Sequence, residues 1–488
     1  MRSTMIAALA GMACLLSTAS AVAPDTLWVK RLDLGSNEIG SGIALRGNAM
    51  AVAGSVSTGM SSDILVMRMN RDGDTIWTRT RDGGSDDGAY SVCLDAESNV
   101  LVAGFSMGIE TAGVAGPLRA DVLSRIRNRI SDAQEEVAYT AKYDSLGALQ
   151  WFRADKGHMA FGIATDSAGN CYVIGTANTG TGYDLWLAKL NSSGDTIWTR
   201  TFDLAGFELG YRLAIEPSGN IAGCAYVGSM DDFDCLALRF TPDGDTLWTR
   251  RYSDGPDDAG NAVAVDTHGN IIVAGRTMKG DFNDALVLKY DSSGALLWNR
   301  TYDCNPDEGL LGVACDAADN IYASGYTGLD FSHDCLTMKL DADGDTLWTA
   351  TYSGAAEDQA GDVACDPEGN PIIAGYVSDT LQSGYDVLTL KYATLTGVAE
   401  TPGSRPARTI AHSTITAAPY FVLSVPNSGR YDVRLCDLSG GISRQLFAGS
   451  LSQGAHRLSL AGLPSGHYFV RVSAPDGGVS CERLLLVK

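Results

Sequence analysis

One phrase, Asp-Thr-Leu/Ile-Trp or a near variant, returns along this chain about every fifty residues. Its tryptophans are Trp28, Trp77, Trp151, Trp198, Trp248, Trp298 and Trp348, and the last four stand 50 residues apart. A fixed period of this size marks one supersecondary unit stacked many times, because a single unit cannot bury its own apolar face. Residues 260–300 show the grammar of the unit. Residues 261–266 alternate as a strand, 267–270 turn, and 271–275 form a second strand. Residues 284–290 form a third, 291–294 turn again, and 296–302 form a fourth that carries Trp298.

Four short strands joined by Gly, Asn and Asp turns read as one antiparallel blade of a β-propeller. The first turn recurs seven times and ends in Asn48, Asn99, Asn170, Asn220, Asn270, Asn320 and Asn370. Five of these have Gly just before, which suits a backbone position with positive φ. The turn before the Trp strand recurs only six times, and no Trp strand follows residues 386–392. The missing strand is at the other end, in residues 25–28. Circular closure follows as an expectation: the strand near residues 27–32 lies outermost in the last blade, beside 387–392, and seals the ring's edges. The Trp residues are expected to pack between blades; Trp186 stands outside the phrase. The motifs Ala-Val-Asp-x-x-Gly-Asn, Asp-x-x-Val-x-Lys-Tyr-Asp and the Trp strand resemble the bacterial seven-bladed β-propeller repeat family. The resemblance covers residues 25–393 and implies an all-β, seven-bladed fold that hosts many activities.

The spacing from Trp77 to Trp151 exceeds the period by about 24 residues, and the excess lies within 106–137. Leu118, Val122, Ile126 and Ile130 recur every four residues, which predicts an amphipathic helix. Arg119, Arg125, Arg127 and Arg129 make it basic. It reads either as a lid docked on the propeller's own acidic surface or as a partner-binding insertion. Residues 394–416 are rich in Thr, Ala, Ser and Pro and read as a linker. Residues 417–488 lose the period and alternate around Gly turns, as a small β-sandwich does. Val425-Pro426, Gly454…His456, the segment 466–471 and the hydrophobic-basic terminus are similar to the C-terminal sorting domain of type IX secretion cargo. That resemblance implies passage across an outer membrane, then surface attachment or release, with the secretion machinery as a partner. At the other end, Arg2, an apolar run over 5–16 and small residues at 19–23 predict a signal peptide over residues 1–21. The run is too short for a transmembrane span.

Charge is strongly acidic, with 36 Lys+Arg against 58 Asp+Glu and a formal net of −22. Nucleic acid and anionic membranes would be repelled. Protein or glycan ligands remain open, and the chain reads as a monomer. Cysteines mostly replace Ala, Val or Ser of sister repeats and read as small core residues. Cys224 and Cys235 form the one plausible bridge within the repeats. There is no His-Glu-x-x-His, Walker loop or Gly-x-Gly-x-x-Gly motif. Asp341-Ala-Asp-Gly-Asp345 resembles a calcium loop, but its acids vary between sister turns and read as turn chemistry.

One constellation survives. An acid recurs at the start of the innermost strands: Glu38, Asp87, Glu208, Asp258, Glu308 and Asp358, with Met159 in the remaining place. Asp86, Asp257, Asp307 and Glu357 stand just before four of them. These acids are expected at the mouth of the central channel, either capping backbone N–H groups or holding a cation such as Ca2+ or a basic ligand. A second series, Asp184, Asp234, Asp284, Asp334 and Asp386, reads as scaffold. No residue stands out as catalytic, and no cofactor beyond possible Ca2+ is implied. The expectation is a secreted or surface binding or scaffold protein. The alternatives are an extracellular polymer-acting hydrolase or lyase with acids at the channel mouth, and a structural envelope protein.

Overall fold

The computed structural model describes residues 24–57, 61–82, 86–107 and 136–393, apart from 181, 205, 230–231, 281, 304–306, 329–331, 355 and 379–383. Beyond residue 393 it describes 414–416, 420–425, 428–436, 442–452, 454–459, 466–473 and 479–486. The signal segment and the basic insertion, with Arg119, Arg125, Arg127 and Arg129, lie outside the described residues. The chain divides into two compact units, 1–395 and 396–488.

The first unit is a seven-bladed propeller of four-stranded antiparallel sheets. Blade 1 holds β2 (Glu38–Arg46), β3 (Ala49–Ser57), β4 (Ser62–Asn70) and β5 (Thr75–Arg81). Blade 2 holds β6 (Asp86–Leu94), β7 (Val100–Met107), β8 (Glu136–Tyr143) and β9 (Leu149–Lys156). Blade 3 holds β10 (His158–Thr165), β11 (Cys171–Asn178), β12 (Tyr183–Leu190) and β13 (Thr196–Phe202). Blade 4 holds β14 (Phe207–Ile215), β15 (Ile221–Ser229), β16 (Asp232–Phe240) and β17 (Thr246–Tyr252). Blade 5 holds β18 (Asp258–Val265), β19 (Ile271–Lys279), β20 (Phe282–Tyr290) and β21 (Leu296–Tyr302). Blade 6 holds β22 (Glu308–Cys315), β23 (Ile321–Thr327), β24 (Asp334–Leu340) and β25 (Thr346–Tyr352). Blade 7 draws β26 (Gln359–Cys365), β27 (Pro371–Ser378) and β28 (Tyr385–Tyr392) from the end of the repeat region, and β1 (Thr26–Leu32) from its start. β1 runs antiparallel to β28, with Trp28 opposite Lys391 and Leu32 opposite Val387. The ring is closed by the strand that the repeat count found missing.

The recurring residues of each repeat have identifiable jobs. In five first turns an Asp accepts backbone N–H bonds from two and four residues ahead or from the terminal Asn; Asp266 accepts from His268 at 3.0 Å and Asn270 at 2.8 Å. Its second oxygen accepts from the Asn side chain, at 2.8 Å for Asn270 to Asp266. The Asn is therefore a clamp on the turn. The residue before it has positive φ throughout, 78° at Gly269 and 61° at both Ser98 and Asp319, where no Gly is present. Buried lysines of the third strands reach the same acids: Lys142 pairs with Asp95 at 2.8 Å and Lys289 with Asp266 at 3.0 Å. The second turns use their own first residue in the same way. Asp341 accepts from the N–H groups of Asp343 and Asp345, so its carboxylate serves the turn.

The Trp phrase stitches neighbouring blades. Trp77 donates its indole N–H to the Ser145 carbonyl at 3.0 Å, and Trp151, Trp248 and Trp298 reach Ser192, Ser292 and Ala342 in the same way. Two residues on, Arg79 and Arg250 donate to the Gly147 and Gly294 carbonyls of those turns. The guanidinium carbons of Arg79 and Arg250 lie 5.3 and 5.5 Å from the centroids of Trp77 and Trp248. Apolar faces fill the space between blades, as where Ile64 and Val66 of blade 1 meet Val100 and Val102 of blade 2. Each such side chain contributes about 1.5–3 kcal/mol when fully buried. Cys224 and Cys235 are buried thiols, as small core residues should be.

The second unit contains a five-stranded sheet and a two-stranded sheet. The larger combines β29 (Thr414–Thr416), β31 (Gly429–Cys436), β32 (Ile442–Leu451), β34 (Gly466–Ser473) and β35 (Val479–Leu486). The smaller pairs β30 (Tyr420–Val425) with β33 (Gly454–Ser459). In β31 of the larger sheet the alternating Tyr431, Val433 and Leu435 are buried, as their spacing predicts. Among the described residues no helix is long and apolar enough to cross a membrane.

Candidate functional site

The six recurrent acids do sit where loops enter the innermost strands, but they are not open to a channel. Glu38, Glu208, Asp258, Glu308 and Asp358 are 0% exposed and Asp87 is 1% exposed. Met159, in the odd blade, is equally buried. Direct contact with a bulky ligand is therefore closed to their carboxylates in this conformation.

Their surroundings fall into two types. At Asp258 and Asp358 the preceding loop wraps the carboxylate. Asp258 accepts from the Asp254 and Gly255 N–H groups at 2.6 and 3.1 Å. Asp358 accepts from Gly354 N–H and, at 2.9 Å, from Ser378 N–H. Burial still pushes Asp358 up to about 6, against the pull of those N–H groups. At the other four junctions the acid meets two more. Asp33, Glu38 and Asp386 converge, as do Asp63, Asp82 and Asp87; Asp184, Asp203 and Glu208; and Asp284, Asp303 and Glu308. In each trio one oxygen per residue lies within 4.8 Å of the others. Burial pushes Glu208 up to about 7, with Asp184 and Asp203 adding to the rise while Leu204 and Gly206 N–H groups oppose it. Asp184 and Asp284 are also raised, first by burial and then by Asp203 and Asp303 respectively. The third-strand acids, expected to be scaffold, thus share sites with the ring acids. Sequence spacing places these two series more than twenty residues apart, so their meeting was not readable from either.

The residue just before a ring acid has a separate job at four of the six positions. It caps the backbone at the entry to the previous blade's third strand. Asn37 Oδ1 accepts from Tyr385 N–H at 3.0 Å, Asp86 from Ser62 at 3.2 Å, Asp307 from Asn283 at 3.0 Å and Glu357 from His333 at 3.2 Å. Asp257 instead pairs with Arg276 at 3.4 Å. His333 is the most developed of these contacts. Its ring lies 2.8 Å from Glu357 and 3.4 Å from Asp307, and Gln359 also donates to Glu357. Burial disfavours the charged ring, but the hydrogen bonds to Asp307 and Glu357 outweigh it and raise its pKa from 6.5 to about 9. The folded pKa exceeds the unfolded one, so the stabilisation is fully present below pH 6.5 and is lost as pH rises through 9. It amounts to about 2–3 kcal/mol. We expect His333→Gln to lower Tm at pH 6 and to match the parent near pH 10. Melting curves across that range check it; a pH-independent gap would refute the charged clamp.

Sequence reasoning missed the middle of the ring. Each innermost strand bulges against the second, between Gly40 and Gly42 in β2 and between Gly210 and Arg212 in β14, for example. In blades 2 to 4 the bulged residues are Tyr90, Phe161 and Tyr211, all nearly fully buried. Phe161 stacks on Tyr211 at 5.4 Å and meets Tyr90 edge-on at 5.6 Å. Tyr211 stacks on Tyr226, whose hydroxyl donates to Asn261 of blade 5. Arg212 completes the arrangement. Its guanidinium donates to the Phe161 carbonyl in blade 3 and, at 3.2 Å, to the Ser41 carbonyl in blade 1. Blades 4 and 1 are not neighbours, so this side chain spans the ring interior, and only 6% of it is exposed. Sister blades carry Gly42, Gly162 and Gly312 in its register. That contrast was the available signal.

No family model matches the chain, and no curated protein matches it. Several solved structures are similar. The Dos1 propeller is 8% identical with a TM-score of 0.43, over 75% of this chain and 94% of that one. Chaetomium thermophilum Sqt1 bound to the N-terminus of the ribosomal protein L10 is 12% identical with a TM-score of 0.43, over 76% and 100%. A PL25 ulvan lyase bound to -[GlcA(1-4)Rha3S]- is 11% identical with a TM-score of 0.45, over 73% and 95%. Likenesses of this size assign neither a ligand nor an activity. The blade count, the strand order and the closing strand together make the first unit of this chain a seven-bladed β-propeller.

Proposed function

We propose that this protein is a non-catalytic binding or scaffold propeller that works outside the cell, recognising a protein or glycan on its loop face. The observation that carries this reading is the interior of the ring. Acid–base attack on a polymer requires two carboxylates of unequal environment that the substrate can reach. The recurrent acids here are buried, and Arg212 with Phe161 and Tyr211 fills the middle of the ring. The loops that surround this interior differ between blades while the strands beneath repeat, which suits a rigid frame with a variable face. The signal segment and the resemblance of the C-terminal unit to type IX sorting domains favour export by a bacterium, followed by display at the outer surface or release. The acidic surface favours basic or neutral ligands over nucleic acid.

The test is a screen of the protein against immobilised polysaccharides and peptides, with product analysis of every polymer that binds. Saturable binding without new chain ends is the expected result. Release of shortened or unsaturated products would sink the binding reading in favour of a hydrolase or lyase.

A further inference from the structure

We propose that the blade junction formed by Asp184, Asp203 and Glu208 is a calcium site that ties blade 3 to blade 4. The three residues come from three places: Asp184 from β12, Asp203 from the link after β13, and Glu208 from β14 of the next blade. They offer oxygens that converge within 4.8 Å. Glu208 is wholly buried, and neither of its carboxylate oxygens has a partner at hydrogen-bond geometry. A carboxylate stripped of water, with the Leu204 and Gly206 N–H groups near it but neither at hydrogen-bond geometry, remains costly, whereas a cation bound beside it removes that cost. Asp184 is half-buried and Asp203 is exposed, so the site has an opening to solvent through which an ion can enter with some of its water.

The chain contains its own control. Where the residue five before the ring acid is Ser253 or Ser353, that acid is a short Asp held by loop N–H groups, and Asp258 and Asp358 belong to no trio. At the first of these junctions the third-strand acid, Asp234, pairs with Arg251. Where that position is Asp33, Asp82, Asp203 or Asp303, a trio forms. The Asp33–Glu38–Asp386 trio repeats the buried signature: Glu38 is 0% exposed and its Oε2 has no hydrogen-bond partner. A third acid added beside a buried, uncompensated carboxylate worsens repulsion unless something positive joins it. Three hard oxygen donors, with no nitrogen or sulfur in the set, suit calcium, whose flexible shell accepts waters for its remaining ligands.

The experiment is calorimetric titration of calcium chloride into the EDTA-stripped full chain, paired with melting curves. Parallel titrations use Glu208→Gln, Asp203→Asn and, as a control at a junction without a trio, Ser253→Ala. The expected result is binding with Kd on the order of 10⁻⁴ M, in the range of extracellular calcium modules. Tm should rise with calcium, one bound ion should be lost in Glu208→Gln and in Asp203→Asn, and Ser253→Ala should bind like the parent. Should Glu208→Gln fail to fold, the exposed Asp203→Asn substitution decides alone. No heat and no Tm shift up to ~10 mM calcium would overturn the proposal. Parent stoichiometry in the folded variants would overturn it equally.

Discussion

A chain that starts at residue 33 should melt earlier than the full chain by about 4 kcal/mol of stability, and should aggregate. β1 supplies the outer partner of β28, from Trp28 opposite Lys391 to Leu32 opposite Val387. Trp28 and Leu32 also pack on the cluster of Ile43, Val52, Leu65 and Val387, where blades 7 and 1 meet. Removing the strand forfeits several backbone hydrogen bonds, each worth about 1 kcal/mol net, and part of two large apolar side chains. The ordering entropy of a short strand offsets some of this. The freed edge of β28 would then present unpaired N–H and C=O groups to other chains. Calorimetry and light scattering check both effects, and a peptide of residues 24–32 added in trans should restore part of the lost stability. An unchanged Tm would mean that the ring is held shut by its neighbouring blades alone.

The closing strand was legible because the chain counts its own parts: six internal Trp strands against seven Asn-terminated turns. The turn itself was legible as positive φ, and Ser98 and Asp319 keep that conformation where Gly is absent. The chemistry at the ring mouth was only half legible. Spacing identified Glu208 and Asp184 as members of two regular series, and regularity argued for scaffold. Their meeting depends on how the link carrying Asp203 folds over from one blade to the next, which no one-dimensional period encodes. The difference between Asp258 and Glu208 was visible in the sequence as one methylene and, five residues earlier, as Ser253 against Asp203. Its meaning required knowing which N–H groups each carboxylate can reach. The basic insertion between β7 and β8 broke the period most openly, and its residues lie outside the described structure, so the choice between lid and partner-binding arm rests on the binding screen.

Arg212→Ala should cost about 3–5 kcal/mol, a large effect for one residue of a propeller. Three terms add. The Phe161 and Ser41 carbonyls lose charge-assisted donors, worth about 1.5–3 kcal/mol each before any water replaces them. The side chain's buried volume becomes a hole in the ring interior, beside stacked Phe161 and Tyr211, that surrounding strands can close only in part. The link between blades 4 and 1 is also lost, so distant blades would unfold less cooperatively. Arg212→Lys keeps a charge but cannot present two donors in a fixed fork, and should recover about half of the loss. Denaturant titration separates these outcomes. A lower midpoint with an unchanged slope reports lost stability, whereas a lower slope reports blades that no longer unfold together. If Arg212→Ala unfolds at the parent midpoint, water satisfies the two carbonyls and the spoke is dispensable. The same variant also bears on function, because ligand recognition confined to the loop face should survive at temperatures where the ring is still folded, while a ligand that enters the ring interior should change its affinity.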